Sequence, residues 1–90
     1  MRIEWDARKA AANFKKHRVS FLEAASTLFD PLALTGDDPD HSLDEQRSLT
    51  FGVSSANRLL VVEHADGSDV IRIISARSAT KSERVLYEEG

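Results

Sequence analysis

Residues 37–47 read DDPDHSLDEQR. Asp37, Asp38, Asp40, Asp44 and Glu45 surround a single histidine, His41, and the stretch closes on Arg47. Such a cluster could hold a metal, move protons, or form a solvated acidic loop. A calcium loop of the EF-hand type needs Gly at its sixth position and Glu at its twelfth. Counted from Asp38, those positions are Leu43 and Leu49. Zinc would need a second histidine or a thiolate close by, and neither is present. No metal site is therefore expected. Asp37 to Asp40 suit a turn-forming, solvated approach. Glu45 and Arg47 suit that less well, because they share a period-two face with Leu49, Phe51 and Val53. Charges leading into an apolar face need partners or a function.

Arg72 raises the same question. It interrupts an apolar row formed by Val70, Ile74 and Ala76. Glu63, diagonally across the expected hairpin, could pair with it. Alternatively its planar fork of donors could grip a phosphate, a task that suits arginine better than lysine. Arg77 could join it, although strict alternation puts the two on opposite faces unless the strand bulges. Lys9 and Lys16 are seven residues apart on the outer side of a basic helix, with His17 at its end. His17 fits a helix C-cap, with a catalytic role as the alternative. His64 reads as a surface residue beside a turn, and Trp5 and Phe14 read as core. There is no triad signature, no phosphate-binding glycine loop and no sign of a nucleotide cofactor.

The elements that must position these residues follow from local signals. RIEW (2–5) reads as a strand. Asp6 caps a helix over 7–17, with Ala7, Ala10, Ala11 and Phe14 on its inner face. Ser20 and Glu23 form a capping box for a second helix over 21–28, burying Phe21, Leu22, Ala25 and Leu28 or Phe29. Asp30-Pro31 stops it. A short strand over 32–35 precedes the acidic stretch, and a half-buried strand runs over 45–53. Residues 54–58 turn the chain. Strands over 58–65 and 69–77 flank Asp66-Gly67, a strong hairpin signal. A two-residue loop there would set Val62 opposite Ile71 and Leu60 opposite Ile73. A last helix spans about 80–88, opened by a capping box at Thr80 and Glu83. The order β-α-α-β-β-β-β-α predicts a small α+β domain over residues 1–90, with an antiparallel meander and helices on one sheet face.

Composition agrees with that class. The chain is 41% hydrophobic and 30% charged, without cysteine, so a disulfide framework and Cys-based zinc sites are excluded. No apolar run is long enough to span a bilayer, and MRIEWDARK lacks the apolar region of a signal peptide, so a cytoplasmic protein is expected. The net charge of −3 conceals an asymmetry. Residues 1–18 carry six bases against two acids, a net of +4, whereas residues 19–46 carry seven acids and no base. Acidity of the whole chain thus does not exclude nucleic acid, since a local basic stripe can meet phosphates.

Three segments together carry a resemblance: EWDARKAAANFKKHRVSFLEAASTLFDPLAL, DPDHSLDEQRSLTFGVSSANRLLVV and IRIISARSATKSERVLYEE. They resemble the BrnT family of bacterial toxins, in order and over nearly the whole chain, through the set KH-x-V-S-F, D-H-S-x-x-E-x-R and IRIISAR. One departure is Arg18, where the family is expected to have a helix-ending Gly. The resemblance implies a RelE-like fold and a ribonuclease toxin of a type II toxin–antitoxin module. It implies neutralisation by BrnA, a ribbon-helix-helix antitoxin that alone contacts DNA, in a dimer or a heterotetramer. It implies no membrane association. RNA cleavage without a metal needs a base for the 2′-hydroxyl, a cation for the charged phosphate and an acid for the leaving 5′-oxygen. His41 as acid or phosphate contact, Glu45 as base, and Arg47, Arg72 and Arg77 as phosphate ligands are the expected catalytic set. Lys9, Lys16 and His17 are the expected RNA-binding residues. The rival expectation is a non-catalytic interaction module, or a degenerate toxin serving as co-repressor with a DNA-binding antitoxin.

Overall fold

The computed structural model describes residues 1–38 and 47–90. Its elements are β1 (Arg2–Glu4), α1 (Ala7–His17), α2 (Phe21–Thr27), β2 (Leu34–Asp37), β3 (Arg47–Val53), β4 (Leu59–Asp66), β5 (Val70–Ser78) and α3 (Lys81–Glu89). The five strands form one sheet in the order β1-β5-β4-β3-β2. The meander from β2 to β5 is antiparallel as expected, while β1 joins its far edge parallel to β5, making the sheet mixed.

Caps set the helix boundaries. Asp6 accepts hydrogen bonds from the Arg8 and Lys9 amides and starts α1. Arg18 ends it in the left-handed conformation, at φ 59°, with its amide bonded to the Phe14 carbonyl. This is the uncomfortable turn that the missing glycine implies. Ser20 caps α2 by accepting from the Glu23 amide. Only half of the expected box forms, because the Glu23 carboxylate bonds Arg58 and Ser54 instead. At Thr80 and Glu83 the capping box is complete.

The core lies between the sheet and the pair α1–α2. Val19, Phe21, Ala24, Leu60, Val62, Ile73 and Ala76 form it, with Ile3, Ala10, Ala25 and Leu28 packed alongside. Several expected core positions are instead exposed. Leu22 points outward, because α2 presents Phe21, Ala24 and Thr27 to the sheet, and of the alternatives Leu28 and Phe29 it is Leu28 that packs against the core. Phe14 and Trp5 are also substantially exposed. The expected buried face of β3 is reversed as well: Ser48, Thr50 and Gly52 are the buried residues. There α2 approaches so closely that a Cβ on Gly52 would sit 3.0 Å from the Thr27 side chain and carbonyl, which explains the glycine.

α3 does not join the other helices on their face. It leans on the opposite side of the sheet, where Arg77 of β5 binds Glu83 and the C-terminal Gly90 reaches Leu34 of β2. Its Tyr87 donates to Asp30, whose carboxylate also accepts the Val53 amide.

The β4–β5 register differs from expectation by more than one residue. The turn passes through Ser68 and Asp69, closed by the Gly67 amide on the Val70 carbonyl at 2.8 Å. No glycine takes a positive φ, so Gly67 does not form the Asp-Gly turn. Asp69 is held in place by the β1 edge, since its carbonyl accepts from the Arg2 amide. Val62 therefore lies opposite Ala76, and Leu60 opposite Ser78. A bulge follows, with Glu63 opposite Ser75 but His64 opposite Ile73.

Candidate ribonuclease site

The bulge decides how the arginines are arranged. One extra residue in β5 between Ile73 and Ser75 reverses the alternation. Arg72 lies opposite Ala65, Ser75 opposite Glu63 and Arg77 opposite Val61. All three β5 side chains thus share the sheet face turned away from α1 and α2. On β3, Arg47 pairs with Ala65 and Leu49 with Glu63. Arg47, Ala65 and Arg72 form one row across three strands, with the small Ala65 between the two guanidinium arms. Two strand spacings separate their Cα atoms by about 10 Å.

The next row holds Glu63. Its carboxylate lies 3.5 Å from Arg47 Nη1 and accepts from Ser75 Oγ at 3.1 Å. Glu63 was expected only as a partner for Arg72 and emerges as the central acid of this face. Arg77 lies on the same face but is committed elsewhere: its guanidinium makes a two-pronged pair with Glu83, at 2.7 and 2.8 Å. That pair, with the Thr80 amide, holds the Glu83 carboxyl down at about 2.

The basic helix faces a different part of β5. β1 ends at Glu4, opposite Arg72, so β5 has no strand neighbour on that side beyond Arg72. Asn13 of α1 takes the strand's place. Its amide donates to the Ala76 carbonyl at 2.9 Å and accepts from the Ala76 amide at 3.1 Å, and it also donates to the Val19 carbonyl. Around this strut run two adjoining grooves that share Lys9. One, of about 360 Å³, is lined by Glu4, Trp5, Asp6, Lys9, Arg72 and Ile73. The other, of about 250 Å³, includes Lys16, His17, Ile74 and Ser75. The expected RNA-binding residues thus lie along one track that ends beside Arg72 and Ser75. His41 and Glu45 fall outside the described residues.

His64 is not the surface residue expected. It is 3% exposed and lies on the α1–α2 face. Nδ1 is 2.6 Å from Asp66, Nε2 is 2.7 Å from Thr50 Oγ1, and Thr50 is 2.8 Å from Thr35. These contacts form one continuous line of side-chain hydrogen bonds from Asp66 through His64 and Thr50 to Thr35. It stitches β2, β3 and β4 together. Thr50 is as buried as His64, so this Asp–His–Thr line is closed to a substrate.

The family described as "Ribonuclease toxin, BrnT, of type II toxin-antitoxin system" matches residues 5–83. The chain belongs to the BrnT family. Its fold is also similar to the crystal structure of the Brucella abortus ribonuclease toxin BrnT, with a TM-score of 0.70 and 26% identity, over 90% of this chain and 99% of that one. No curated protein matches. Membership in the BrnT family makes an RNA target and an antitoxin partner part of the setting for this site. Among the described residues, no helix is long and apolar enough to cross a membrane, and no group of three or more His, Cys, Asp or Glu side chains could hold a metal ion.

Proposed function

We propose that residues 1–90 form a cytoplasmic toxin domain that cleaves RNA without a metal and arrests translation and growth. A BrnA-type ribbon-helix-helix antitoxin neutralises it in a dimeric or heterotetrameric complex and makes any contact with DNA. The observation that carries this proposal is the row Arg47–Ala65–Arg72, set by the register of β4 with β3 and β5. Two guanidinium groups either side of a small residue can grip one phosphate from two directions.

The chemistry follows from that grip. A base takes the 2′-hydroxyl proton, and the 2′-oxygen attacks the adjacent phosphorus. Negative charge develops on the phosphoryl oxygens, where Arg47 and Arg72 stabilise it. The 5′-oxygen leaves, an acid protonates it, and a 2′,3′-cyclic phosphate remains. Glu45 as base and His41 as acid belong to the segment that enters β3 at Arg47. Arg77 contributes to the phosphate site if it exchanges Glu83 for the substrate. Lys9, Lys16 and His17 hold the flanking RNA along α1.

The test is cleavage of RNA by the purified chain in EDTA, with alanine variants at His41, Glu45, Arg47, Arg72 and Arg77. Cleavage is expected to survive EDTA. Arg47→Ala and Arg72→Ala are each expected to slow it on the order of 100-fold, as loss of a charge-stabilising donor does. Five folded variants that all cleave like wild type would refute this site. Harmless expression in bacteria, with RNA left intact, would replace the proposal with a non-catalytic interaction module.

A further inference from the structure

Trp5 occupies a position that neither the core nor the cleavage chemistry explains. It is the only tryptophan in the chain and is 36% exposed, at the junction of β1 and α1. Its ring meets the buried Phe21 edge-on, with centroids 6.1 Å apart and planes at 82°. An indole held that way is fixed on its inner side and lines the 360 Å³ groove on its outer side. That volume is near the lower end of small-ligand sites, about 300–1,000 Å³.

The groove's charges have unequal duties. Asp6 spends its carboxylate on the Arg8 and Lys9 amides, and Glu4 pairs with Arg2 at 3.5 Å. Lys9 and Arg72 are the cations that line it. Arg72 also belongs to the arginine row, so the groove opens directly beside the proposed phosphate site. A partly exposed indole in a groove also lined by two cations has the composition of a single-stranded nucleic-acid subsite, in which bases stack on an aromatic and the backbone meets Lys or Arg.

We propose that this groove is a nucleotide subsite for single-stranded RNA. The base next to the cleaved bond stacks on Trp5, and Lys9 and Arg72 hold its phosphates. The subsite rests on the ribonuclease function proposed above. It adds a positioning element that favours unpaired RNA, because a stacked base must first leave any duplex.

The single tryptophan makes the test direct. The full chain is titrated with a 5′-labelled 2′-O-methyl RNA oligonucleotide, which cannot undergo 2′-hydroxyl attack. Trp5 emission and oligonucleotide anisotropy are followed together. Saturable quenching with the same midpoint as the anisotropy change is expected, with much weaker quenching by an abasic strand of equal length. Trp5→Leu is expected to bind about tenfold or more weakly, and Trp5→Phe within about threefold of wild type. If Trp5→Leu does not fold, Trp5→Phe and the abasic strand decide. Binding that leaves Trp5 emission unchanged, or Trp5→Leu binding like wild type, overturns the subsite. Continued cleavage of ordinary RNA would then show that only the subsite had failed. A wild-type chain that neither binds nor cleaves RNA overturns both. Quenching by the antitoxin with RNA silent overturns the subsite in favour of a protein ligand.

Discussion

Asn13, Thr50 and His64 lie on the α1–α2 side of the sheet, almost entirely buried, each bonded to partners that the fold itself fixes. Arg47, Glu63 and Arg77 lie on the other side, partly exposed and paired charge to charge. An amide or hydroxyl can be buried at modest cost once its bonds are made, so it can serve as a strut. A guanidinium keeps some contact with water and can change partners, which a phosphate site requires. Loss of a polar group should therefore destabilise the first face and reduce activity on the second.

The largest effect expected from this contrast is at Asn13. Asn13→Ala leaves the Ala76 amide, the Ala76 carbonyl and the Val19 carbonyl without their partner, all in a buried setting. A loss of about 3 kcal/mol in unfolding free energy is expected, since each orphaned group costs about 1–3 kcal/mol less any relaxation. Urea unfolding measures it. A loss below about 1 kcal/mol would mean that the free edge of β5 is held by something other than this amide, and the contrast between the faces would break.

On the opposite face, Glu83 offers a smaller effect with a defined pH signature. Its carboxyl is held at about 2 in the folded chain by the Arg77 guanidinium, below the ordinary glutamate value of 4.5. The folded value is the lower one, so the pair stabilises the fold fully above about 4.5. That stabilisation fades as pH falls through about 2. Arg77 is 40% exposed, so solvent screening limits the pair to about 1 kcal/mol. Glu83→Gln should be less stable than wild type by that amount at pH 7, with the gap closing as both are unfolded at progressively lower pH. A gap that stays constant down to pH 3 would assign the loss to the helix cap rather than to the ion pair.

The contrast also explains which parts of the fold the sequence disclosed. Element order and the α+β class were legible because caps at Asp6, Ser20 and Thr80 and the period-two strands are local signals. His64 was not, because its burial depends on register. With the turn at Asp66-Gly67 it would sit beside a surface loop. With the turn at Ser68 and Asp69 it lies well inside β4. The register is set by β1 capturing the Asp69 carbonyl from sixty-odd residues away, which no local pattern encodes. The shared face of Arg72 and Arg77 was hidden for a related reason. Alternation separated Arg72 from Arg77, and only the bulge brings them to one face. Glu63 was read from the hairpin register only as a partner for Arg72, and Trp5 as core; Glu63 also lies 3.5 Å from Arg47, and Trp5 is 36% exposed. Lys9, Lys16 and His17 lie along grooves beside β5, and Arg72 lines one of them, while Arg47 stands two strands away on β3 and Arg77 is tied to α3.

The smallest expected effect is at Arg18, where two opposing contributions nearly balance. Arg18 holds φ 59°, a region that costs an ordinary side chain about 1 kcal/mol relative to glycine. Arg18→Gly relieves that strain. It also removes the guanidinium that lies 5.7 Å from the Phe14 ring, a contact worth about 0.5–1 kcal/mol at an exposed site, and it loosens the unfolded chain. The Arg18 carbonyl, which accepts from Arg58, is unaffected because glycine supplies the same group. The net change in unfolding free energy is therefore expected within about 0.5 kcal/mol of zero. Arg18→Ala separates the two contributions, since it keeps the strain and removes the ring contact. It should be less stable than both wild type and Arg18→Gly in the same urea titration. An alanine variant as stable as glycine would mean that the turn between α1 and α2 relaxes out of the left-handed region. The anchor that sets Val19 and Phe21 into the helix-covered face would then be Asn13 and Arg58 alone.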